Sequence, residues 1–117
     1  MTPARVALIG RDLLFGSRIA GIVEAVGGQL VRAEEPGQLP PAASVRLVLV
    51  DWGDRQPYWA ASLAAWRDAA EAPDRPQLTL FGPHTDLAAH ADARAAGLGP
   101  MLARSAVLGW LSRHLSG

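Results

Sequence analysis

The chain has 117 residues, half of them apolar, no cysteine and a formal net charge of zero. One domain of this length buries roughly two-thirds of its unfolded surface, which excludes a disordered chain, and the missing cysteines exclude a disulfide framework, thiol catalysis and a Cys-based metal site. A balanced charge argues against nucleic acid as a partner, no apolar run approaches the ~20 residues that span a bilayer, and the N-terminus lacks a signal-peptide pattern. The expectation is a single cytoplasmic domain over residues 1–117, with no nucleic acid and no membrane. All eleven basic residues are Arg. In a chain so rich in Ala, this reads as coding bias.

Arg5-Val6-Ala7-Leu8-Ile9-Gly10 is a buried-strand candidate ended by Gly. Asp12 caps a following helix, where Ile19, Ile22, Val23 and Val26 recur on one apolar face. Gly27-Gly28 stops that helix, and 29–33 reads as a short strand. Residues 34–44 hold three prolines and, at most, one helical turn around 37–39. Arg46-Leu47-Val48-Leu49-Val50-Asp51-Trp52 follows, a continuous apolar run leading into one carboxylate. Such a run reads as a strand buried on both faces.

The spacing then predicts a helix over 57–72, with Pro57 in its first turn and Trp59, Leu63, Trp66 and Ala70 on one face. After a proline-bracketed loop, 77–81 is the fourth strand, ended by Gly82-Pro83. Thr85 or Asp86 caps a helix to Ala96, and Gly97 stops it. Residues 101–103 form a brief fifth strand. Ser105 caps the last helix, whose buried face is Val107, Leu108, Leu111 and Leu115.

Strands alternating with helices in short units imply a parallel sheet covered on both faces. Right-handed crossovers leave few topologies, and the strand order 2-1-3-4-5 fits best. The fold class is therefore α/β, a three-layer flavodoxin-like arrangement with its second helix shortened or lost. In open sheets of this kind, ligands bind beyond the carboxyl ends of the strands. That edge gathers Gly10-Arg11-Asp12, Asp51-Trp52, Gly82 to Thr85, and Arg104-Ser105.

With Val50-Asp51-Trp52 ending the third strand and Arg104 ending the fifth after Ala96-Gly97-Leu98-Gly99, the chain resembles a response-regulator receiver domain over its whole length. The resemblance implies that Asp51 stands where receivers carry the aspartate that accepts a phosphoryl group. It also exposes departures. Receivers place two adjacent acids after the first strand to hold Mg²⁺. Here Gly10-Arg11 stand in those places and Asp12 comes one residue late. Receivers carry Ser or Thr where this chain has Gly82, and Lys where it has Arg104. A hard cation needs oxygen ligands, and a planar guanidinium is no substitute for a point charge. The strings Asp12-Leu13-Leu14-Phe15-Gly16-Ser17-Arg18-Ile19, Phe81-Gly82-Pro83-His84 and Ala103-Arg104-Ser105 also resemble a group of small, stand-alone receiver-like bacterial proteins. That resemblance carries a fold and no mechanism.

The expected function is a non-enzymatic signalling module: a pseudo-receiver that binds protein and needs no cofactor. The alternative is a phosphorylatable single-domain regulator, with Asp51 as acceptor and Mg²⁺ as cofactor. A weaker alternative is a small-anion-binding domain, in which Arg11 and Arg104 lie near a helix N-terminus. No glycine-rich phosphate loop follows the first strand. Asp51 alternatively pairs with Arg11 or Arg104. Asp12 is either a helix cap or a metal ligand, and Asp12, Asp51 and His84 together are a weak metal candidate. His90 reads as a solvated helix residue.

Trp59 and Trp66 read as core, and Trp52 as the rim of the edge cluster. Trp110 falls to one side of the last helix, with His114 one turn along. In receivers the fourth helix, fifth strand and fifth helix form the usual partner face. Here that face would offer Met101, Trp110, Arg113 and His114 to a protein partner or a second copy. Since the chain ends at Gly117, directly after the last helix, no output domain is expected to be attached.

Overall fold

The computed structural model describes residues 4–116. The strands are β1 (Arg5–Ile9), β2 (Gln29–Ala33), β3 (Leu47–Asp51), β4 (Gln77–Gly82) and β5 (Met101–Ala103). The helices are α1 (Leu13–Ala25), α2 (Trp59–Asp68), α3 (Leu87–Ala95) and α4 (Val107–Ser116). The sheet is parallel in the order β2-β1-β3-β4-β5, as the alternation of elements predicts. Gly117 lies outside the described residues, and with it the expectation of no attached output domain. Among the described residues no helix is long and apolar enough to cross a membrane.

β3 sits at the centre because all five of its residues are buried. Strand alternation divides them between two layers. Leu47 and Leu49 join Val6, Leu8, Phe81, Ile19, Val23, Val107 and Leu111 beneath α1 and α4. Val48 and Val50 join Ala7, Ile9, Leu80, Trp59, Leu63, Ala89 and Ala93 beneath α2 and α3. Each fully buried Val or Leu side chain contributes about 1.5–3 kcal/mol relative to exposure, so the two aliphatic layers hold the sheet edge rigid.

Two of the expected caps form. Asp12 Oδ1 accepts a hydrogen bond from the Phe15 N–H at 3.0 Å, and Asp86 Oδ1 one from the Ala89 N–H at 3.0 Å. Asp86, not Thr85, therefore caps α3. Gly28 is required where α1 turns into β2: a Cβ there would lie 2.8 Å from the Ala4 carbonyl oxygen and 3.1 Å from that of Val23.

Several expectations need correction. Val26 lies beyond the end of α1 and is 46% exposed, so it is no part of the apolar face. The 34–44 segment makes two 3₁₀ turns, Pro36–Gln38 and Ala42–Ser44, rather than one. Its prolines forbid a longer helix, and the Trp66 indole N–H donates to the Pro40 carbonyl at 2.8 Å. Trp66 is thereby half-buried against this segment instead of sunk in the core. α2 is shorter than the predicted 57–72, and β4 extends one residue further to include Gly82. A 3₁₀ turn, Arg104–Ala106, precedes α4, so Ser105 lies within that turn and does not cap the helix.

Candidate functional site

The strand register brings the carboxyl-edge residues together. Ile9 pairs with Val50, Asp51 with Phe81, and Gly82 with Ala103. Asp51 continues the Leu47–Leu49 side of β3 and so faces the α1–α4 layer beside Phe81. Gly10 runs past it, close enough that a Cβ there would touch the Asp51 Cβ at 3.4 Å.

Arg104 closes the site. One terminal nitrogen, Nη2, donates to Asp51 Oδ2 at 2.5 Å, and the other, Nη1, to Asp12 Oδ2 at 3.3 Å. Its guanidinium carbon lies 4.8 Å from the Phe15 ring centre and 5.4 Å from that of Phe81, and the two rings pack at 5.4 Å. The fork is thus held by two carboxylates and two aromatic rings, an arrangement suited to a planar delocalised cation. Asp12 does double duty, capping α1 through Oδ1 and binding Arg104 through Oδ2. Of the two candidate partners for Asp51, the structure chooses Arg104. Arg11 points away, into a separate depression lined by Gly10, Leu13, Arg32 and Glu34.

Burial pushes the Asp51 carboxyl above its ordinary value. The charge of Arg104 works against that rise, the nearby Asp54 adds to it, and the Gly53 N–H and the Arg104 hydrogen bond oppose it. An Asp raised in this way binds its proton more tightly folded than unfolded. The protein therefore loses stability as pH climbs from the ordinary 3.8 through the raised value. Asp51→Asn has no such proton. Thermal melts across acid to neutral pH should show the variant gaining on the wild type through that window, then holding a constant difference above it. A difference independent of pH throughout would contradict the assignment.

Gly82, His84, Arg104 and Ser105 line one depression of about 490 Å³, together with Phe15 and Arg18. A side chain at Gly82 would place its Cβ 3.0 Å from the Met101 sulfur, so the thioether occupies the space a Ser or Thr would need. The His84 carbonyl oxygen lies 3.0 Å from His90 Nε2, which ties His90 back to the loop rather than leaving it fully solvated. Among the described residues no three groups of His, Cys, Asp or Glu come together as a metal site. The Arg104 guanidinium bridges the Asp12 and Asp51 carboxylates, and Gly10 and Arg11 add no carboxylate beside them.

Two residues assigned to surfaces are buried instead. Trp52 is 1% exposed, not at the rim. It continues the Val48–Val50 side of the strand into the α2–α3 layer, where its indole N–H donates to the Ala89 carbonyl at 3.1 Å. Met101 is 6% exposed and packs in the same layer. Trp110 is half-buried against the α1–α4 layer and stacks on His114 with ring centres 4.7 Å apart, while Arg113 is exposed.

Phe15 and Phe81 belong to the site although sequence reasoning did not place them there. On the opposite side of the sheet Arg55 and Asp92 form a 2.6 Å ion pair, with Arg55 over the Trp52 ring. Phe15 was findable, since it stands one helical turn before Ile19 on the inward face of α1.

No protein-family model and no curated protein sequence matches the chain. Solved structures do. A response regulator receiver domain protein from Clostridium thermocellum matches with a TM-score of 0.70 at 17% identity, covering 97% of this chain and 91% of the other. A receiver domain protein from Methanospirillum hungatei matches with a TM-score of 0.69 at 15% identity, over 98% and 95%. A response regulator from Burkholderia multivorans matches with a TM-score of 0.65 at 18% identity, over 99% and 97%. The fold is that of response-regulator receiver domains, with the five-stranded flavodoxin-like topology.

Proposed function

We propose that this protein is a receiver-fold signalling module that acts by binding another protein, without Mg²⁺-dependent aspartyl phosphorylation and without enzymatic activity of its own. The observation that carries this reading is the Arg104 bridge between Asp12 and Asp51. A fixed cation already neutralises the carboxylate that would attack a phosphoryl donor. That carboxylate is also buried, its side chain only 5% exposed, which restricts the approach of a phosphoryl donor. The acid pair that would bring the metal is replaced by Gly10-Arg11. With the phosphoryl input removed, the fold retains its surfaces.

Incubation with Mg²⁺ and acetyl phosphate, followed by intact mass spectrometry, tests the chemistry. The protein should remain unmodified. A phosphoryl adduct mapping to Asp51 would instead establish the phosphorylatable regulator.

The partner face of this reading is α3, β5 and α4. Its accessible part is narrower than the sequence suggests, because Met101 is buried. The outward-facing groups are Arg113 and the exposed edge of the Trp110–His114 stack. Aromatic rings and Arg dominate binding energy at protein interfaces. Trp110→Ala should weaken self-association or partner capture, read by sedimentation velocity and pull-down against the wild type. An unchanged association state and unchanged capture would remove this face from the account.

A further inference from the structure

We infer that the amino-terminal edge of the sheet, opposite the Asp51 site, carries a second site that binds a phosphate-bearing small molecule through Arg5, Arg46 and Arg75. The strand register creates it. Val6 pairs with Leu47, so Arg5 and Arg46 stand side by side at the starts of neighbouring strands, and the Arg46 N–H donates to the Arg5 carbonyl at 2.9 Å. Strand alternation sends both side chains to the same side of the sheet. Arg75 comes from the turn before β4, where its Nε donates to the Ala70 carbonyl at 2.9 Å and fixes the direction of its fork. All three line one open cavity of about 670 Å³.

Two like charges on adjacent strands repel unless something lies between them. Among the described residues, none of the three arginines forms an ion pair. The carboxylate on the cavity wall is Asp74, one negative charge against three positive ones. The Arg5 Nε is buried and has no hydrogen-bond partner. A buried guanidinium N–H without an acceptor is costly, and an anion in the cavity would supply that acceptor. Guanidinium forks match phosphate oxygens in bidentate geometry. The volume lies within the range of about 300–1,000 Å³ typical of small-molecule sites. Val26, Pro73 and Leu115 form apolar wall that suits the organic part of a phosphate ester. The inference is independent of whether Asp51 is phosphorylated.

The test is a titration of the full chain, monitored by backbone amide and arginine Nε–H NMR. Pyrophosphate and adenosine diphosphate serve as probes, with sodium chloride at matched ionic strength as the control. The expected result is saturable shifts at the Arg5 Nε–H and at the amides of Ser44, Arg46 and Arg75. The exposed Arg46→Gln should weaken binding at least ten-fold, while Asp51→Asn binds as the wild type does. Tighter binding of adenosine diphosphate would identify an organic phosphate as the ligand class, and equal binding would show that the phosphate group alone is recognised. No saturable shift with either probe, or undiminished binding by both Arg46→Gln and Arg75→Gln, would overturn the inference.

Discussion

Arg104→Ala should lower the unfolding free energy by about 2–3 kcal/mol at neutral pH, and the deficit should shrink as the pH falls. Removing one partner of a fully buried ion pair costs about 3–5 kcal/mol, because the other charge is left uncompensated. Arg104 is 38% exposed, so water screens part of that cost. What remains is the burial of Asp51, whose side chain is only 5% exposed. The pH dependence identifies the mechanism. When Asp51 takes up its proton no buried charge is left to strand, and only the loss of contact with Phe15, Phe81 and the exposed Asp12 carboxylate persists. Urea denaturation in neutral and acid buffer measures both terms. Repeating it in an Asp51→Asn background should reduce the neutral-pH cost, since the pair is then already broken. A deficit of the same size at every pH would mean that Arg104 acts through packing alone.

Trp52→Ala should cost about 4 kcal/mol, within the ~3–5 kcal/mol found when a buried aromatic is truncated. Trp52 is among the largest fully buried side chains and packs with Val50, Trp59, Leu63 and Ala93. It also joins the segment after Asp51 to α3, through its hydrogen bond to Ala89 and through Arg55, which sits over its ring and pairs with Asp92. Trp52→Phe retains most of the apolar surface and should cost less than half as much. If Trp52→Ala melted within a few degrees of the wild type, the residue would belong at the surface after all. The size of a ~4 kcal/mol loss against the usual ~5–15 kcal/mol of total stability makes the two outcomes easy to separate.

The position of Trp52 also shows where the sequence was legible and where it was misread. Continuous burial made β3 plain, the Gly, Pro and capping Asp residues marked the element ends, and strand–helix alternation with right-handed crossovers pointed to the strand order. The same alternation that sends Val48 and Val50 toward α2 and α3 also sends Trp52 there, so the signal was present. Its place beside an acid drew it to the rim instead. Met101 is a different case. A three-residue strand offers too few alternations to say which side faces inward, and only the pairing of Leu80 with Met101 decides it.

The choice of Arg104 over Arg11 as the partner of Asp51 was equally hidden. Both follow strands that end at the same edge. Arg11 stands just ahead of a helix whose cap, Asp12, turns inward, and this leaves Arg11 facing the β2 side. That is a matter of local backbone direction, and residue spacing does not carry it. The 34–44 segment was readable only as an interruption, because its two 3₁₀ turns rest on tertiary contacts such as that of Trp66 with Pro40.

On the proposed reading, Arg104 stands where a metal-dependent receiver would hold its ion. A two-dimensional amide NMR spectrum, recorded without and then with Mg²⁺ and beryllofluoride, tests it most directly. The account predicts superimposable spectra, with Asp12, Asp51, Trp52, Gly82 and Arg104 unmoved. Saturable shifts clustered at those residues would show a working phosphoacceptor site and would contradict it.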